Sequence, residues 1–328
     1  MVKFFGRKTK AKVASFAVFI LMFVSASLWL SDNNLPGHNE RNVGPHSLHR
    51  RRGANVGNQP MKRQKRNIRA EGMERVFYNR VPKCASTTFM EIITKLSKKL
   101  NFNYKSSNNF THASLRTKEQ VDFVKKFEGI ASPMVYDRHL WFINFTMYGE
   151  PMPYYINILR DPLERYASHY YYQRQINPLK VGVFTKYQKN ESLEHCLETN
   201  TNATYKCDFF RGTYVKYFCG QLPLCKTVSQ AAISRAKRNI MKYYTLVGLT
   251  DQFELTLAAL EKLIPKFFNG ALDIYKKTTN QNVNPKKRKI SQKATSILLP
   301  KLKYDYEIYR FAKNIFYNKM KRLQLIKS

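Results

Sequence analysis

Residues 75–100 read RVFYNRVPKCASTTFMEIITKLSKKL, and three patterns follow one another within them. Val76-Phe77-Tyr78 is a short apolar run of strand type. Asn79 to Thr87 turns the chain, with Pro82 stiffening the bend. From there Phe89, Ile92, Ile93 and Leu96 recur three or four apart, the spacing of one helix face. A strand that turns tightly into a helix offers an anion site. The helix's first N–H groups lack internal partners, and its dipole favours negative charge there. Lys83 adds a full positive charge, and the Ser86 and Thr87 hydroxyls can donate to oxygens. An ordinary ATPase loop would need GxxxxGK[ST], and no glycine lies in this turn. The bland alternative is a capped helix beside a surface lysine; anion binding is the favoured reading of the two.

A second stretch, Tyr155 to Ser168, reads YINILRDPLERYAS. A strand of buried type ends at Arg160, and Pro162 opens a helix carrying Arg165 and Ser168. Arg160 and Ser168 could clamp a second phosphate. Together, RVPKCAST and ILRDPLERYAS resemble the two nucleotide-binding motifs of Golgi sulfotransferases that use 3′-phosphoadenylyl sulfate (PAPS). The resemblance implies that the first motif holds the 5′-phosphosulfate and the second the 3′-phosphate.

The rest of the chain fits around these anchors. Residues 1–12 are basic, and Val13 to Leu30 is an apolar run without charge, just long enough to cross a bilayer. Positive charge on its N-terminal side predicts a cytoplasmic tail and a lumenal remainder. A cleaved signal peptide is the rival, with Ser25-Ala26-Ser27 as small residues for cleavage. Residues 31–72 are polar and basic and cannot bury a core, which predicts a disordered stem. Within it Arg63-Gln64-Lys65-Arg66 has the form cut by furin-like proteases, or is simply a solvated basic stretch. Residues 73–328 suffice for one large domain. Strand-like runs at Val76–Tyr78, Met134–Tyr136, Tyr155–Leu159 and Thr245–Leu249 alternate with helical patterns, notably Phe253–Phe267 and Tyr304–Lys321. That alternation predicts an α/β fold with a central, mainly parallel sheet flanked by helices, its ligand beyond the strands' carboxyl ends.

Five cysteines bear on compartment. Cys196 with Cys207 and Cys219 with Cys225 make the simplest disulfide pairing, suited to a lumenal domain. A zinc site is the rival, but the spacings do not fit, and no metal is expected. Sequons at Asn109, Asn144, Asn190 and Asn202 suit glycosylation in the same compartment, although Asn144 stands in an apolar stretch. The formal net charge of +35 calls for a polyanionic partner. Lys276, Lys277, Lys286, Lys287, Arg288 and Lys289 form its densest stretch outside the stem. Nucleic acid would be the partner of a cytosolic protein this basic, whereas an anchored lumenal domain meets glycosaminoglycans instead.

Sulfuryl transfer to a sugar hydroxyl needs a base for the hydroxyl proton and positive charge on the leaving phosphate. Lys83 suits the second role. For the base, His139 follows a strand-like run, with Arg138 beside it and Asp137 two residues before. A lone histidine is more often structural, and only the family resemblance reverses that reading. It narrows to the hexuronic acid 2-O-sulfotransferases and covers almost all of residues 75–320. RHLWFINF, FCGQLPLC, LVGLTDQFE, LEKLIPKFFNGALDIY and KYDYEIYRFAK carry it besides the two nucleotide motifs. It implies a P-loop-like sulfotransferase fold with His139 as catalytic base. Lys83, Cys84, Ala85, Ser86 and Thr87 would contact the 5′ end of PAPS, Arg160 and Ser168 its 3′-phosphate, and Arg80 the acidic sugar or transferring group. Cys84 would be a small donor or packing residue, not a nucleophile. Tyr275 and Lys286 fall where the family closes a lid over the nucleotide.

The sequence also departs from that pattern. The heparan enzymes carry a second histidine where Asp137 stands here; Arg138-His139, Cys84 and the FCGQ loop are more similar to the uronyl enzyme, whereas Pro82 and Ala85-Ser86-Thr87 are more similar to the heparan enzyme. Gln173 to Asn190, where acceptor contacts should lie, differs from both, leaving Arg174, Lys180, Lys186 and Lys189 as candidates there. The expected activity is therefore transfer of sulfate from PAPS to the 2-OH of a uronic acid in heparan or dermatan/chondroitin chains, releasing PAP. A carbohydrate sulfotransferase with another acceptor position and an inactive glycosaminoglycan-binding protein are the alternatives. The resemblance further implies a Golgi type II membrane protein and a homotrimer.

Overall fold

The computed structural model describes residues 74–107, 113–175, 185–199, 207, 212–279 and 290–327. The expected tail, anchor and stem lie outside the described residues, as do Asn109, Lys180, Asn202, Lys286 and Lys287. No helix among the described residues is long and apolar enough to cross a membrane.

In chain order the elements are β1 (Arg75–Tyr78), α1 (Ser86–Leu100), β2 (Asn103–Ser106), α2 (Thr117–Glu128), β3 (Met134–Asp137) and β4 (Tyr154–Leu159). There follow α3 (Pro162–Gln175), α4 (Lys186–Asn190), α5 (Leu193–Thr199), α6 (Thr213–Cys219), α7 (Gln230–Tyr243) and β5 (Tyr244–Leu249). The chain then continues through α8 (Phe253–Leu263), α9 (Pro265–Phe268), α10 (Ala271–Thr279), α11 (Gln292–Lys301) and α12 (Lys303–Arg322). The five strands form one sheet in the order β2-β3-β1-β4-β5, and every pairing is parallel. All the apolar strands read from the sequence are present. The polar edge strand β2, NYKS, was not legible, because three of its four side chains are exposed and carry no apolar signal. The helical pattern at Phe253–Phe267 divides into α8 and α9 at Pro265, whose missing N–H ends the first helix and suits the start of the next.

Alternation along β1 sets the two layers. Phe77 points to one face, where Phe123, Phe127, Tyr136, Phe145 and Tyr155 surround it with ring centroids 5.0 to 6.2 Å away. Tyr78 points to the other, edge-on to Phe89 of α1 at 5.0 Å, and Phe89 in turn stacks on Phe268 at 5.9 Å. Each such ring removed from water contributes about 1.5–3 kcal/mol.

The sheet places the anchors. β1 lies between β3 and β4, so the segments leaving the carboxyl ends of all three emerge side by side. Beyond β1, buried Asn79 is held by Asn157 of β4, whose Nδ2 donates to the Asn79 carbonyl at 2.6 Å and to its Oδ1 at 3.0 Å. Asn79 Nδ2 donates onward to the Tyr244 hydroxyl at 2.8 Å and the Leu140 carbonyl at 3.3 Å. This polar tie inside an aromatic core fixes where the first turn departs. Asn157→Ala leaves two buried acceptors unsatisfied and should destabilise the fold by about 1–3 kcal/mol, read as a lower urea midpoint at unchanged slope. An unchanged midpoint would contradict the tie.

Candidate active site

The first turn has an unusual backbone. Lys83 and Ala85 adopt left-handed conformations, φ 68° and 57°, which side-chain-bearing residues take only when their surroundings hold them. Val81 and Cys84 supply the hold, both fully buried under the turn. Ala85 precedes α1 without making a side-chain cap, and no acidic residue stands in the helix's first turn. The capped-helix reading therefore fails. The positive end of α1 opens instead beside half-buried Lys83 and Ser86 and exposed Thr87. Burial and the neighbouring Arg160 guanidinium both push the Lys83 ammonium below its ordinary pKa, and the ammonium rests 3.9 Å above the Tyr172 ring. A bound anion would relieve that repulsion.

The second turn stands directly across. Asp161 caps α3, accepting from the Leu163 and Glu164 N–H groups at 2.9 and 3.2 Å, while the Tyr306 hydroxyl donates to it at 3.0 Å. Arg160 is partly exposed and its Nε pairs with Glu164 at 3.1 Å. Ser168 follows two turns along α3, half-buried.

His139 lies just past the end of β3, buried, with Nδ1 2.8 Å from the Arg80 carbonyl of the first turn. A carbonyl only accepts, so Nδ1 carries the hydrogen and the neutral ring keeps its lone pair on Nε2, as a base requires. Burial, followed by the positive Arg80, pushes the ring's pKa down to about 4, against the opposing pull of the carbonyl. Arg80 itself is buried. Its Nε meets Asp137 at 2.7 Å and its Nη2 donates to the Ser107 carbonyl at 3.1 Å. Asp137 also accepts from the Tyr104 hydroxyl of β2 at 2.7 Å, and burial raises its carboxyl pKa against the pulls of Arg80 and Tyr104. Asp137 thus acts on His139 through Arg80, not by direct contact, and Arg80, for which the resemblance implied contact with the acidic sugar or the transferring group, is buried against Asp137 and Ser107.

Other expectations fare differently. Arg174 is buried: its guanidinium lies 3.7 Å over the Tyr170 ring, Nη2 donates to Cys196 Sγ at 3.4 Å, and Glu191 stands 4.0 Å away. It supports the disulfide region, because its helix face packs inward, and it does not present itself to an acceptor. Lys186 is exposed, and Arg138 is partly buried with its guanidinium 5.4 Å from the Phe123 ring. Tyr275 packs on Phe253 at 4.9 Å, and Lys95 donates to Thr278 at 2.9 Å, so α10 lies along α1. The cysteines pair as expected, Cys196 with Cys207 and Cys219 with Cys225, with Cα separations of 6.0 and 5.5 Å, leaving Cys84 as a buried thiol. Asn144 uses its side chain as a cap, accepting from Thr146 and donating to Tyr243 at 3.4 Å, which leaves its amide poorly placed for a glycan. Asn190 is exposed.

Two anion-ready turns and a neutral imidazole at one sheet edge agree with what sequence comparison finds. The pattern of the sulfotransferase family matches residues 66–312. The chain belongs to that family. Human uronyl 2-sulfotransferase is 33% identical over 255 residues, covering 74% of this chain and 62% of that protein. Heparan sulfate 2-O-sulfotransferase 1 of Xenopus laevis is 31% identical over 247 residues, 72% of this chain and 69% of the relative. Heparan sulfate 2-O-sulfotransferase hst-2 of Caenorhabditis elegans is 31% identical over 265 residues, 77% and 81% of the two chains. The match to the human uronyl enzyme thus spans less than two thirds of that relative's length.

For this sulfotransferase-family chain, the sequence reading missed Tyr104, Asn157, Tyr214 and Asp305, which reach the site only through long-range contacts. It also passed over His169, a buried ring on α3 whose pKa burial, Arg165 and Lys83 push down to about 3. Titration of ring-labelled histidines by NMR should show His139 protonating near pH 4, well below the ordinary imidazole value of roughly 6.5. A folded pKa below the unfolded one means that the stability from this neutral ring is complete above pH ~6.5 and is lost as pH falls toward about 4. A His139 resonance titrating at ordinary imidazole pH would contradict the geometry.

Proposed function

We propose that this chain transfers the sulfuryl group of PAPS to the 2-OH of a hexuronic acid in a glycosaminoglycan, leaving PAP. One observation carries the reading: the Arg80 carbonyl holds His139 so that Nε2 is a proton acceptor, three residues from Lys83 along the same turn. PAPS, when bound, supplies an activated S–O bond whose phosphate side leaves. Lys83, the Ala85–Thr87 backbone and the Ser86 and Thr87 hydroxyls would hold its 5′ end, and Arg160 with Ser168 its 3′-phosphate. Nε2 of His139 takes the acceptor hydroxyl proton, and Lys83 offsets the charge that develops on the leaving phosphate oxygen. Burial keeps the imidazole neutral at the pH of the secretory route. Asp137 and Tyr104 fix Arg80, and through its carbonyl they fix the ring.

The net charge of +35 and the exposed Lys186, Lys276 and Lys277 suit a polyanionic chain as acceptor. The names of both kinds of relative, uronyl 2-sulfotransferase and heparan sulfate 2-O-sulfotransferase, favour a uronic acid and its 2-position. The apolar run at 13–30 and the two disulfides support a lumenal domain on a Golgi membrane anchor, with trimeric assembly in keeping with the family.

Incubation with labelled PAPS and a panel of desulfated heparan, dermatan and chondroitin chains should place label on 2-O-sulfated uronic acid disaccharides. Label at another position, or none on any chain, would overturn the proposal. His139→Ala should lower transfer by about 10²–10⁴-fold and leave PAP affinity, by calorimetry, within about twofold of the parent. Normal turnover in that variant would remove His139 as the base. Lys83→Ala should weaken PAP binding and transfer together; loss of neither would contradict its place in the donor turn.

A further inference from the structure

The two turns of the proposed donor site come from distant parts of the chain, and a buried hydroxyl reaches both, beside the contact of the Cys84 thiol with the Arg160 backbone. Tyr214 of α6 is fully buried. Its hydroxyl donates to the Arg160 carbonyl at 2.5 Å and accepts from the Arg160 N–H at 3.3 Å, closing on both backbone polar groups of the residue just past β4. The same oxygen lies 3.8 Å from Cys84 Sγ, within the first turn between the two left-handed residues Lys83 and Ala85.

Tyr214 is itself fixed at every side. Asp305 of α12, buried, accepts from the Tyr214 N–H at 2.7 Å and the Gly212 N–H at 3.0 Å. Arg165, a buried cation of α3, donates to Thr213 at 3.2 Å and sits 5.3 Å over the Tyr214 ring. At the far end of α6, Asn239 donates to the Phe218 carbonyl at 2.8 Å, and Cys219 is cross-linked to Cys225. A short helix pinned by a carboxylate, a guanidinium and a disulfide is a rigid strut, and its phenol is the tip.

We propose that Tyr214 is a positioning residue that sets the distance between the 5′-phosphosulfate turn and the 3′-phosphate turn. This rests on the donor reading above and goes beyond it. A ligand with phosphates at both ends gains affinity over a one-ended ligand only when its two sites are held at the matching span. Tyr214 touches neither phosphate; it holds the loops that do.

The test is the ratio of affinities for adenosine 3′,5′-bisphosphate (PAP) and adenosine 5′-phosphate (AMP), by calorimetry on the full chain. Tyr214→Phe keeps the ring and removes the hydroxyl, leaving the Arg160 carbonyl without this donor. PAP binding should weaken about tenfold while AMP binding changes by less than about twofold, and the KM for PAPS should rise with the acceptor KM unchanged. A merely structural role would lower the melting temperature and the active fraction without moving that ratio. An unchanged ratio, with wild-type preference for PAP intact, would remove the bridge alone. A wild-type chain that binds PAP no tighter than AMP would remove the donor reading and the bridge with it. Should Tyr214→Phe not fold, Asp305→Asn weakens the strut from its other end and should lower the same ratio; an unchanged ratio there would equally overturn the proposal.

Discussion

The parallel pairing of β1 with β4 is the constraint on which the site depends. Parallel neighbours deliver their carboxyl ends to the same edge of a sheet, so the turn after β1 and the turn after β4 have to lie side by side. Asn157 then ties Asn79 to the sheet, and Tyr214 closes the gap one layer further out. With β3 on the other flank of β1, the segment carrying His139 falls into contact with the Arg80 carbonyl. The two turns and the segment carrying His139 are thus brought together by strand order, before any side chain is specified.

Electrostatics sorts the charges gathered there into two kinds. Arg80 and Asp137 form a buried pair, with Tyr104 completing the carboxylate's shell, and their effect is positional: they hold a carbonyl that orients a ring. Lys83 and Arg160 repel one another across the mouth of the two turns, and burial first, then that repulsion, lowers the pKa of Lys83. Arg80 also raises the cost of protonating His139, which keeps its lone pair available.

Legibility in the sequence followed how local each signal was. β1, β3, β4 and β5 were visible as apolar runs, and the two turns as motifs, because strand, bend and helix are adjacent in the chain. β2 was hidden by its exposed polar edge, although it supplies Tyr104. Tyr214 and Asp305 were hidden for another reason: a tyrosine in an apolar helix and a carboxylate in an amphipathic one look like core and surface until the fold sets them against Arg160 and Gly212. Arg174 shows the converse. Its place after the second motif suggested an acceptor contact, but its position on α3 turns the guanidinium onto Tyr170 and the Cys196–Cys207 disulfide. No periodicity argument distinguishes those two outcomes for a residue near the end of a helix.

The central claim is geometric, that opposite ends of one nucleotide are gripped by the two turns with His139 facing the bond that breaks. A crystal structure with PAP bound tests it most directly. The account predicts the 5′-phosphate over Lys83 to Thr87, the 3′-phosphate on Arg160 and Ser168, and the His139 Nε2 edge facing the 5′-phosphate across a space wide enough for one sugar hydroxyl. A nucleotide bound elsewhere, or in this cleft with His139 turned away behind the Arg80 carbonyl, would contradict it.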